Sequence, residues 1–452
     1  MNAVTKGHKS CAPTQTNLLT KLSHLSVIAK EQPKFTFKTL GHLINEEMLT
    51  RSFNALKKSA ASGVDEVTAK DYKGNLHENI RDLHTRLLSN RYRAQPLKRV
   101  YIAKEDGQRR PLSIPALEDK IVQRAVAEIL SRIYEMDFHD CSYGYRPNRS
   151  AHDAVNFIQE KSVFGKVNFI YEADIREYFG SIVRKELITI LQKRVSDKVI
   201  LRLIGKWLRA GIIDEGKLLT NDRGTYQGSI ISPILANIYL NEVLDEWVAN
   251  VVKPRLNGET HLCRFADDFV IGFQYWKDAK RFEAVLGKRF GKYGLTLHPD
   301  KTKLIEFGRY AKERRNGRKP ETFQFLGFTF HCSQTRNQKF TVKLKTASKR
   351  LRRSLKRIGE WCKANRHLSI GWQQKKLAQI MRGHYQYYGR RSNTQSLRKF
   401  YRAVLRIWHK WLGRRGSGKM TWRKFLQIQS KFPLPRPRIT EQNGNAQTEL
   451  AL

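Results

Sequence analysis

The sequence predicts an α+β protein, and three observations carry that class. Short runs rich in β-branched and aromatic residues recur up to about residue 335, several of them joined by turn signals. Between them lie stretches whose apolar residues fall at mixed threes and fours, the spacing of helices with one buried face. After Lys343 the helical spacing continues on a background of Lys and Arg, with Glu360 the single acid as far as Lys424.

Composition bounds the partners. Lys and Arg number 85 against 41 Asp and Glu, a formal net charge of +44 over 452 residues. An excess this large calls for a polyanion, and nucleic acid is the expected one. Hydrophobic residues at 40% and aromatics at 10% exclude a disordered basic tail, because a core can form over two or three packed units. The five cysteines are far apart and never in Cys-x-x-Cys spacing, which suggests neither a disulfide framework nor a zinc knuckle and fits a reducing cytoplasm. The start lacks the apolar core of a signal peptide and no apolar stretch is long enough to span a bilayer, so no membrane partner is expected.

Residues 1–34 are polar and interrupted by Pro13 and Pro33, and read as a loose arm. Helices follow over Leu40 to Leu56 and through Ile80, Leu83, Leu87 and Leu88. Arg99 to Ile102 reads as a strand entering a turn at Glu105-Asp106-Gly107, with Lys104 on one side and Arg109-Arg110 on the other. Cations flanking a glycine turn suit a triphosphate, though a solvated surface hairpin has the same composition. Asp119 to Tyr134 is a helix with one buried face, and Ser142 to Ser150 then alternates arginines with aromatics, a pattern fit for phosphate pairing and base stacking.

Val167 to Asp174 reads as a strand that sets Glu172 and Asp174 on one face, with helical character from Ile175 onward. Acids at the end of a buried strand are costly unless paired or bound to metal, although Asp174 would also serve as a helix N-cap. Helical spacing runs through Leu187 to Leu208. Arg223 to Ser229 is a glycine-containing loop before an apolar helix from Ile230 to Leu244, a place where backbone can approach a nucleotide or simply join two elements. Thr260 to Phe273 places Asp267 and Asp268 at a hairpin tip between two apolar runs, where they suit a metal or merely a turn. Ala279 to Phe290 is helical. Lys301 lies past a short strand, and Phe323 to Phe330 reads as one strand with Gly327 where a backbone passes closely. Two basic amphipathic helices are expected, one through Leu344, Ala347, Leu351, Leu355, Ile358 and Trp361, the other from Leu397 to Leu412, with the tyrosine-rich Gly383 to Gly389 between them. Thr440 to Leu452 reads as disordered.

In this order, the motifs resemble the reverse transcriptase/maturase family encoded by bacterial group II introns. Phe-Ala-Asp-Asp at 265–268 is similar to that family's Tyr-Ala-Asp-Asp box. The stretches from Arg91 to Lys104, Ser142 to Ser150 and Gln227 to Leu240, and Phe-Leu-Gly-Phe at 325–328, are similar to its other blocks. The resemblance covers about Leu49 to Arg438. It implies a right-hand polymerase, fingers and palm with an antiparallel sheet followed by an all-helical thumb or maturase domain. The expected divisions are an arm over 1–34, an N-terminal extension and fingers over 35–165, a palm over 166–335, a thumb over 336–412 and a basic C-terminal segment and tail over 413–452.

The resemblance also implies roles. Asp174, Asp267 and Asp268 would be the catalytic, metal-binding carboxylates for two Mg²⁺ ions, with Mn²⁺ as a substitute. Lys104, Arg110, Ile175, Gln227, Gly228 and Lys301 would serve the incoming deoxynucleoside triphosphate, with Phe179 or its neighbour Tyr178 as an aromatic gate against ribose. Arg146, Arg149, Phe265, Leu326 and Gly327 would contact template and primer, and Arg352, Arg353, Lys356, Arg357, Tyr385, Tyr388, Arg390 and Arg391 would bind RNA from the thumb. The implied partners are group II intron RNA, an RNA template with a DNA primer and a target DNA, and the implied setting is the bacterial cytoplasm, with nucleoid association on DNA. Oligomeric state stays open. Three positions depart from the family pattern: Phe265 for tyrosine, Tyr226 for proline, and Gly180 where an aspartate is frequent. No His-Asn-His endonuclease is expected after Pro433. A splicing-only RNA-binding protein and a reverse transcriptase domesticated for defence or repair are the competing classes.

Overall fold

The computed structural model describes residues 18–103, 109–220, 222–415 and 420–441. It is a mixed α+β structure whose chain divides into two compact units. One gathers the described residues of Met1–Asp140, Glu177–Glu246 and Gly291–Leu295, the other Cys141–Arg176, Trp247–Phe290 and Thr296–Leu452. The strands, in chain order, are β1 Leu97–Ala103, β2 Arg109–Ile114, β3 Phe169–Ala173, β4 Ile212–Asp214, β5 Lys217–Leu219, β6 Thr260–Phe265, β7 Asp268–Phe273, β8 Lys303–Glu306, β9 Thr322–Phe325, β10 Phe328–Gln334 and β11 Phe340–Thr346. No helix among the described residues is long and apolar enough to cross a membrane.

In the first unit, helix Leu117–Tyr134 buries Ile121, Val122, Ala125, Val126, Ile129, Leu130 and Ile133, and helices Leu18–Glu31 and Glu46–Ala55 pack along it. The expected loose arm is therefore corrected over its second half, while residues 1–17 lie outside the described region. Helix Leu18–Glu31 buries Leu18, Leu22, Leu25 and Ala29. The buried Arg194 ties the end of this helix to the chain that follows it, donating to Ala29 O (3.1 Å), Gln32 O (3.0 Å) and Phe35 O (2.6 Å) while paired with Asp137 at 2.8 Å. One guanidinium thus satisfies orphan helix-end acceptors and brings its own counter-charge. A four-stranded sheet, in the order β2-β1-β4-β5, completes the unit. The β4–β5 hairpin, which the periodicity does not announce, turns on Glu215 and Gly216, both at positive φ (47° and 81°), the backbone a two-residue hairpin needs.

In the second unit, β6-β7-β3-β8 form one antiparallel sheet and β11-β10-β9 another. They share a core that includes Ile170, Val270, Ile305, Phe307, Phe323, Phe330 and Val342, with Phe323 and Phe330 stacked at 4.5 Å. Helix Ala151–Phe164, opened by a Ser150/Asp153 capping box, adds Ala154, Val155 and Ile158 to that core. The run 323–330 is corrected from one strand to a hairpin. Leu326 and Gly327 turn it with φ of 49° and 79°, because left-handed backbone ends the alternation.

The remainder of the second unit is mostly helical, and five expectations change there. Leu344 belongs to β11 and not to the helix, which spans Ser348–Ala364. The expected boundary at 335/336 falls inside the β10–β11 hairpin, so β11 stays with its antiparallel partner. Residues 383–388 lie within helix Ile370–Tyr388 instead of between helices. Past the expected boundary at 412, helix Trp422–Lys431 and Leu434 still contribute to one helical core with Met381, Tyr385, Phe400, Val404 and Trp408. Thr440 and Glu441, read as disordered, are tied down: Thr440 N donates to Gly389 O (2.8 Å), and Glu441 pairs with Arg390 at 2.8 Å. Residues 442–452 lie outside the described region.

Within this helical core His384 stacks on Phe400 with ring centroids 3.7 Å apart, and burial pushes its imidazole down to about 4. The folded state refuses a proton that the unfolded chain accepts near 6.5. The contribution is therefore complete above that value and is lost as pH falls towards 4, about 2–3 kcal/mol in all. His384→Phe should keep the stacking and flatten the loss of stability between pH 6.5 and 4 in denaturant melts, leaving stability at pH 8 within about 1 kcal/mol.

Candidate active site

The candidate site in the second unit is set by strand register. In the β3–β7 pairing Ala173 lies opposite Phe269, so one further step brings Asp174 across from Asp268. In the β6–β7 pairing Phe265 lies opposite Asp268, which leaves Ala266 and Asp267 as a two-residue connection. Ala266 adopts φ 58°, a left-handed backbone that costs a non-glycine residue on the order of 1 kcal/mol and is held by its surroundings. Two neighbours hold it. The fully buried Arg264 donates from Nη1 to Ala266 O (3.1 Å), and Gly144 lies so close that a Cβ there would meet Ala266 N at 2.3 Å. The segment Cys141–Tyr143 runs parallel beside β6, with Arg264 N donating to Cys141 O (2.8 Å) and Tyr143 N to Arg264 O (2.9 Å).

Three carboxylates consequently feel one another. Burial, then the charges of Asp267 and Asp174, push the Asp268 carboxyl up to about 7, against the smaller opposing influence of Lys301 and Arg350. Asp268 remains solvent-accessible, but enough protein surrounds its carboxyl to weaken hydration of the charge. Lys301 Nζ pairs with Asp174 Oδ2, and Lys303 pairs with Glu172 at 3.1 Å on the same face of β3. Among the described residues no three Asp, Glu, His or Cys side chains form a ready metal cage, and the Lys301 ammonium pairs with Asp174. The donor set nevertheless suits a divalent cation: three hard carboxylates close enough to destabilise one another's charge.

In the first unit, other expected residues form a second constellation. Arg110 stands exposed on β2, opposite Ile102, and Lys104 falls outside the described residues. At the far end of β2, Ser113 N donates to Gln227 O (2.7 Å), and a Cβ on Gly228 (φ 107°) would meet Ser113 O at 2.9 Å. Thr225 N donates to Phe179 O (2.7 Å). Of the two adjacent aromatics, Tyr178 is buried with its hydroxyl donating to Ala236 O (2.5 Å), whereas Phe179 is half-exposed. Only Phe179 retains a face for a ligand.

Several expected contacts take other positions. Ile175, in the second unit, is buried and bridged to Leu297 instead of opening a helix. Arg146 is buried and donates to Ser142 O (2.8 Å), bracing its own loop, while Arg149 lies 5.6 Å over the Tyr143 ring. Phe265 is partly buried in the sheet core. The Leu326-Gly327 turn meets the helix end: Tyr387 Oη donates to Leu326 O (2.8 Å), and a Cβ on Gly327 would meet Tyr388 Oη at 2.8 Å. Tyr385 and Arg390 are corrected from RNA contacts to structural groups. Tyr385 is fully buried and donates to Pro435 O (3.2 Å), and Arg390 is buried against Asn156, His152 O and Glu441. Arg352, Lys356, Arg357 and Arg391 are exposed, and Arg353 and Tyr388 half-buried. Arg184, which sequence reasoning misses, holds the Arg223–Tyr226 backbone. No local pattern marks it, because its partners lie some forty residues away.

Known proteins share much of this sequence. The family described as reverse transcriptase (RNA-dependent DNA polymerase) matches residues 102–330. The chain is similar to protein YkfC of Escherichia coli (strain K12), 33% identical over 315 residues, covering 62% of this chain and 82% of that protein. It is similar to the group II intron-encoded protein LtrA of Lactococcus lactis subsp. cremoris, 38% identical over 193 residues, 42% of this chain and 31% of LtrA. An uncharacterized 91 kDa protein in the cob intron of Schizosaccharomyces pombe is 33% identical over 249 residues, 54% of this chain and 30% of that protein. The chain thus spans less than a third of the length of the two intron proteins.

The close approach at the hairpin tip gives a direct check. Gly144→Ala should displace Ala266 and destabilise the protein by about 3 kcal/mol in chemical denaturation, because backbone and not a mobile side chain occupies the space. Gly383→Ala, on a helix with open space around it, should instead stabilise by about 0.5–1 kcal/mol.

Proposed function

The chain belongs to the reverse transcriptase (RNA-dependent DNA polymerase) family, in its group II intron branch, and we propose that this enzyme extends a DNA primer on an RNA template from a site built on Asp174, Asp267 and Asp268. The observation that carries the assignment is the strand register: β3 ends with Ala173 opposite Phe269 and β6 with Phe265 opposite Asp268, which gathers Asp174 to the tip that holds Asp267 and Asp268. Three carboxylates gathered at one end of a sheet, with only Lys301 paired to Asp174, offer hard oxygen ligands to divalent cations and to the phosphates that travel with them. Two divalent ions of the Mg²⁺ type, when bound, supply stabilisation of the attacking and departing oxygens of an in-line displacement. Asp267 and Asp268 at the hairpin tip and Asp174 at the strand end would hold them. Lys301 would leave Asp174 and turn its ammonium to the triphosphate, and Arg110 would add a planar donor fork. Gln227 and Gly228 would contact the nucleotide through a loop fixed to β2, and Phe179 would close against a ribose 2′-hydroxyl. Leu326-Gly327 would touch the primer, backed by Tyr387 and Tyr388.

In this reading β1–β2 and their helices are the fingers, the β6-β7-β3-β8 sheet is the palm and the basic helical bundle is the thumb. Helix Ser348–Ala364 turns Ile358 and Cys362 inward and exposes Arg352, Lys356 and Arg357. Such a face suits the backbone of a structured RNA, and we assign it to the group II intron whose splicing and copying into target DNA the protein assists.

Asp267→Ala should reduce Mg²⁺-dependent extension of a DNA primer on RNA by at least about a thousandfold while leaving RNA affinity within about threefold. Unchanged extension would remove Asp267 from the site. Phe179→Val should admit ribonucleotides, read as a large fall in the dNTP-over-NTP ratio of kcat/KM; an unaltered ratio would exclude Phe179 as the gate. The triple reversal Arg352→Glu, Lys356→Glu and Arg357→Glu should weaken RNA binding and lower the slope of log K against log salt by on the order of one for each phosphate no longer neutralised. A slope equal to that of the parent protein would move RNA binding elsewhere.

A further inference from the structure

The loop Arg223–Ser229 carries no regular hydrogen-bond ladder and twice passes through backbone that suits glycine, φ 85° at Gly224 and 107° at Gly228. One side of it is fixed by main chain. Gly224 N donates to Ile182 O (2.8 Å), Thr225 N to Phe179 O (2.7 Å), and Gln227 O accepts from Ser113 N (2.7 Å). A Cβ on Gly224 would meet Gly180 Cα at 2.8 Å, so the loop lies flat on the turn that carries Phe179. Past Thr225, Tyr226 O accepts from Ser229 N (3.1 Å) and Ser232 Oγ (2.9 Å), and one guanidinium ties the start of the loop to the Tyr226 side chain. Arg184, first residue of helix Arg184–Gln192, donates from Nε to Gly224 O (3.2 Å) and from Nη2 to Arg223 O (3.2 Å) and Tyr226 Oη (3.4 Å). Its charge centre also lies 5.8 Å from the Tyr226 ring centroid. Tyr226 is itself buried, and its hydroxyl donates to Leu208 O (3.2 Å).

We propose that Arg184 is a positioning residue for the incoming deoxynucleoside triphosphate. It touches no substrate. By joining the successive carbonyls of Arg223 and Gly224 to the buried Tyr226 side chain, it restrains the backbone just before Gln227 and Gly228, so these two residues meet each nucleotide in one conformation. Arginine suits the place because its planar fork presents Nε and Nη2 to three acceptors in one fixed geometry, whereas the three donors of a lysine ammonium radiate from a single atom on a freer stem. Pre-ordering a binding loop strengthens ligand binding without adding a contact, so the effect falls on nucleotide affinity and not on chemistry. The inference rests on the polymerase reading of the site.

The test compares the full-length protein with Arg184→Met and Arg184→Lys. In primer extension on RNA, Arg184→Met should raise KM for the nucleotide about tenfold, with kcat and the template–primer Kd both within about threefold. Arg184→Lys should fall between parent and Arg184→Met. Amide hydrogen exchange, measured on the same proteins without substrate, should accelerate across Gly224 to Gly228 and stay unchanged in β6 and β7. An unchanged KM or unchanged loop exchange overturns the proposal. So does a KM rise matched by equal losses of template–primer affinity and melting temperature, which would make Arg184 a general structural residue. Should the parent protein itself fail to extend a primer, the polymerase reading falls, while loop exchange still decides whether Arg184 is the clamp.

Discussion

The antiparallel register between β3 and β7 is the constraint on which the site depends. Side chains in a sheet alternate faces, so a slip of one residue would carry Asp174 to the opposite side from Asp268 and bury the wrong neighbours of both. The register is held by burial on both strands: Ile170 and Tyr171 on β3, Phe269, Val270 and Ile271 on β7, all fully or nearly fully enclosed. Tyr171, Phe273 and Phe282 meet at ring distances of 5.4 to 5.6 Å behind the sheet, which leaves little freedom for a shifted pairing. The acids are thus assembled by apolar packing they take no part in.

That assembly has an electrostatic cost, and the structure shows how it is met. Burial, then Asp267 and Asp174, push Asp268 towards neutrality, while Lys301 pairs with Asp174 and Arg350 opposes the shift at Asp268. Glue of the same kind appears elsewhere in the chain. Arg194 draws three carbonyls and Asp137 together, and Arg390 draws Asn156, His152 O and Glu441. In a protein with a net charge of +44, buried arginines such as these serve as structural ties, leaving the exposed cations for a polyanionic partner. Charge excess alone therefore says little about any one residue, as the buried Arg146 and Arg390 show.

The sequence and the structure divide the work unevenly. Helices with a clear buried face, such as Leu117–Tyr134 and Thr394–Leu412, were legible because period and burial coincide. So was the hairpin tip at Asp267 and Asp268, where apolar runs flank a short polar break. Helix Leu18–Glu31 was not, although Leu18, Leu22, Leu25 and Ala29 keep helical spacing, because Pro13, Pro33 and the polar background dominate the whole arm. The β4–β5 hairpin is too short for alternation to register, and the Leu326-Gly327 turn was hidden within an unbroken aromatic run.

By itself the sequence determined the α+β class, the polyanionic partner and the residue types of the site, because composition, period and motif order are local properties. Only the tertiary structure decided that Asp174 stands opposite Asp268, that Phe179 and not Tyr178 keeps an open face, and that Arg184 grips the Gln227 loop. Those outcomes depend on strand register, on burial and on side chains meeting across long stretches of chain, none of which is encoded in the spacing of neighbouring residues.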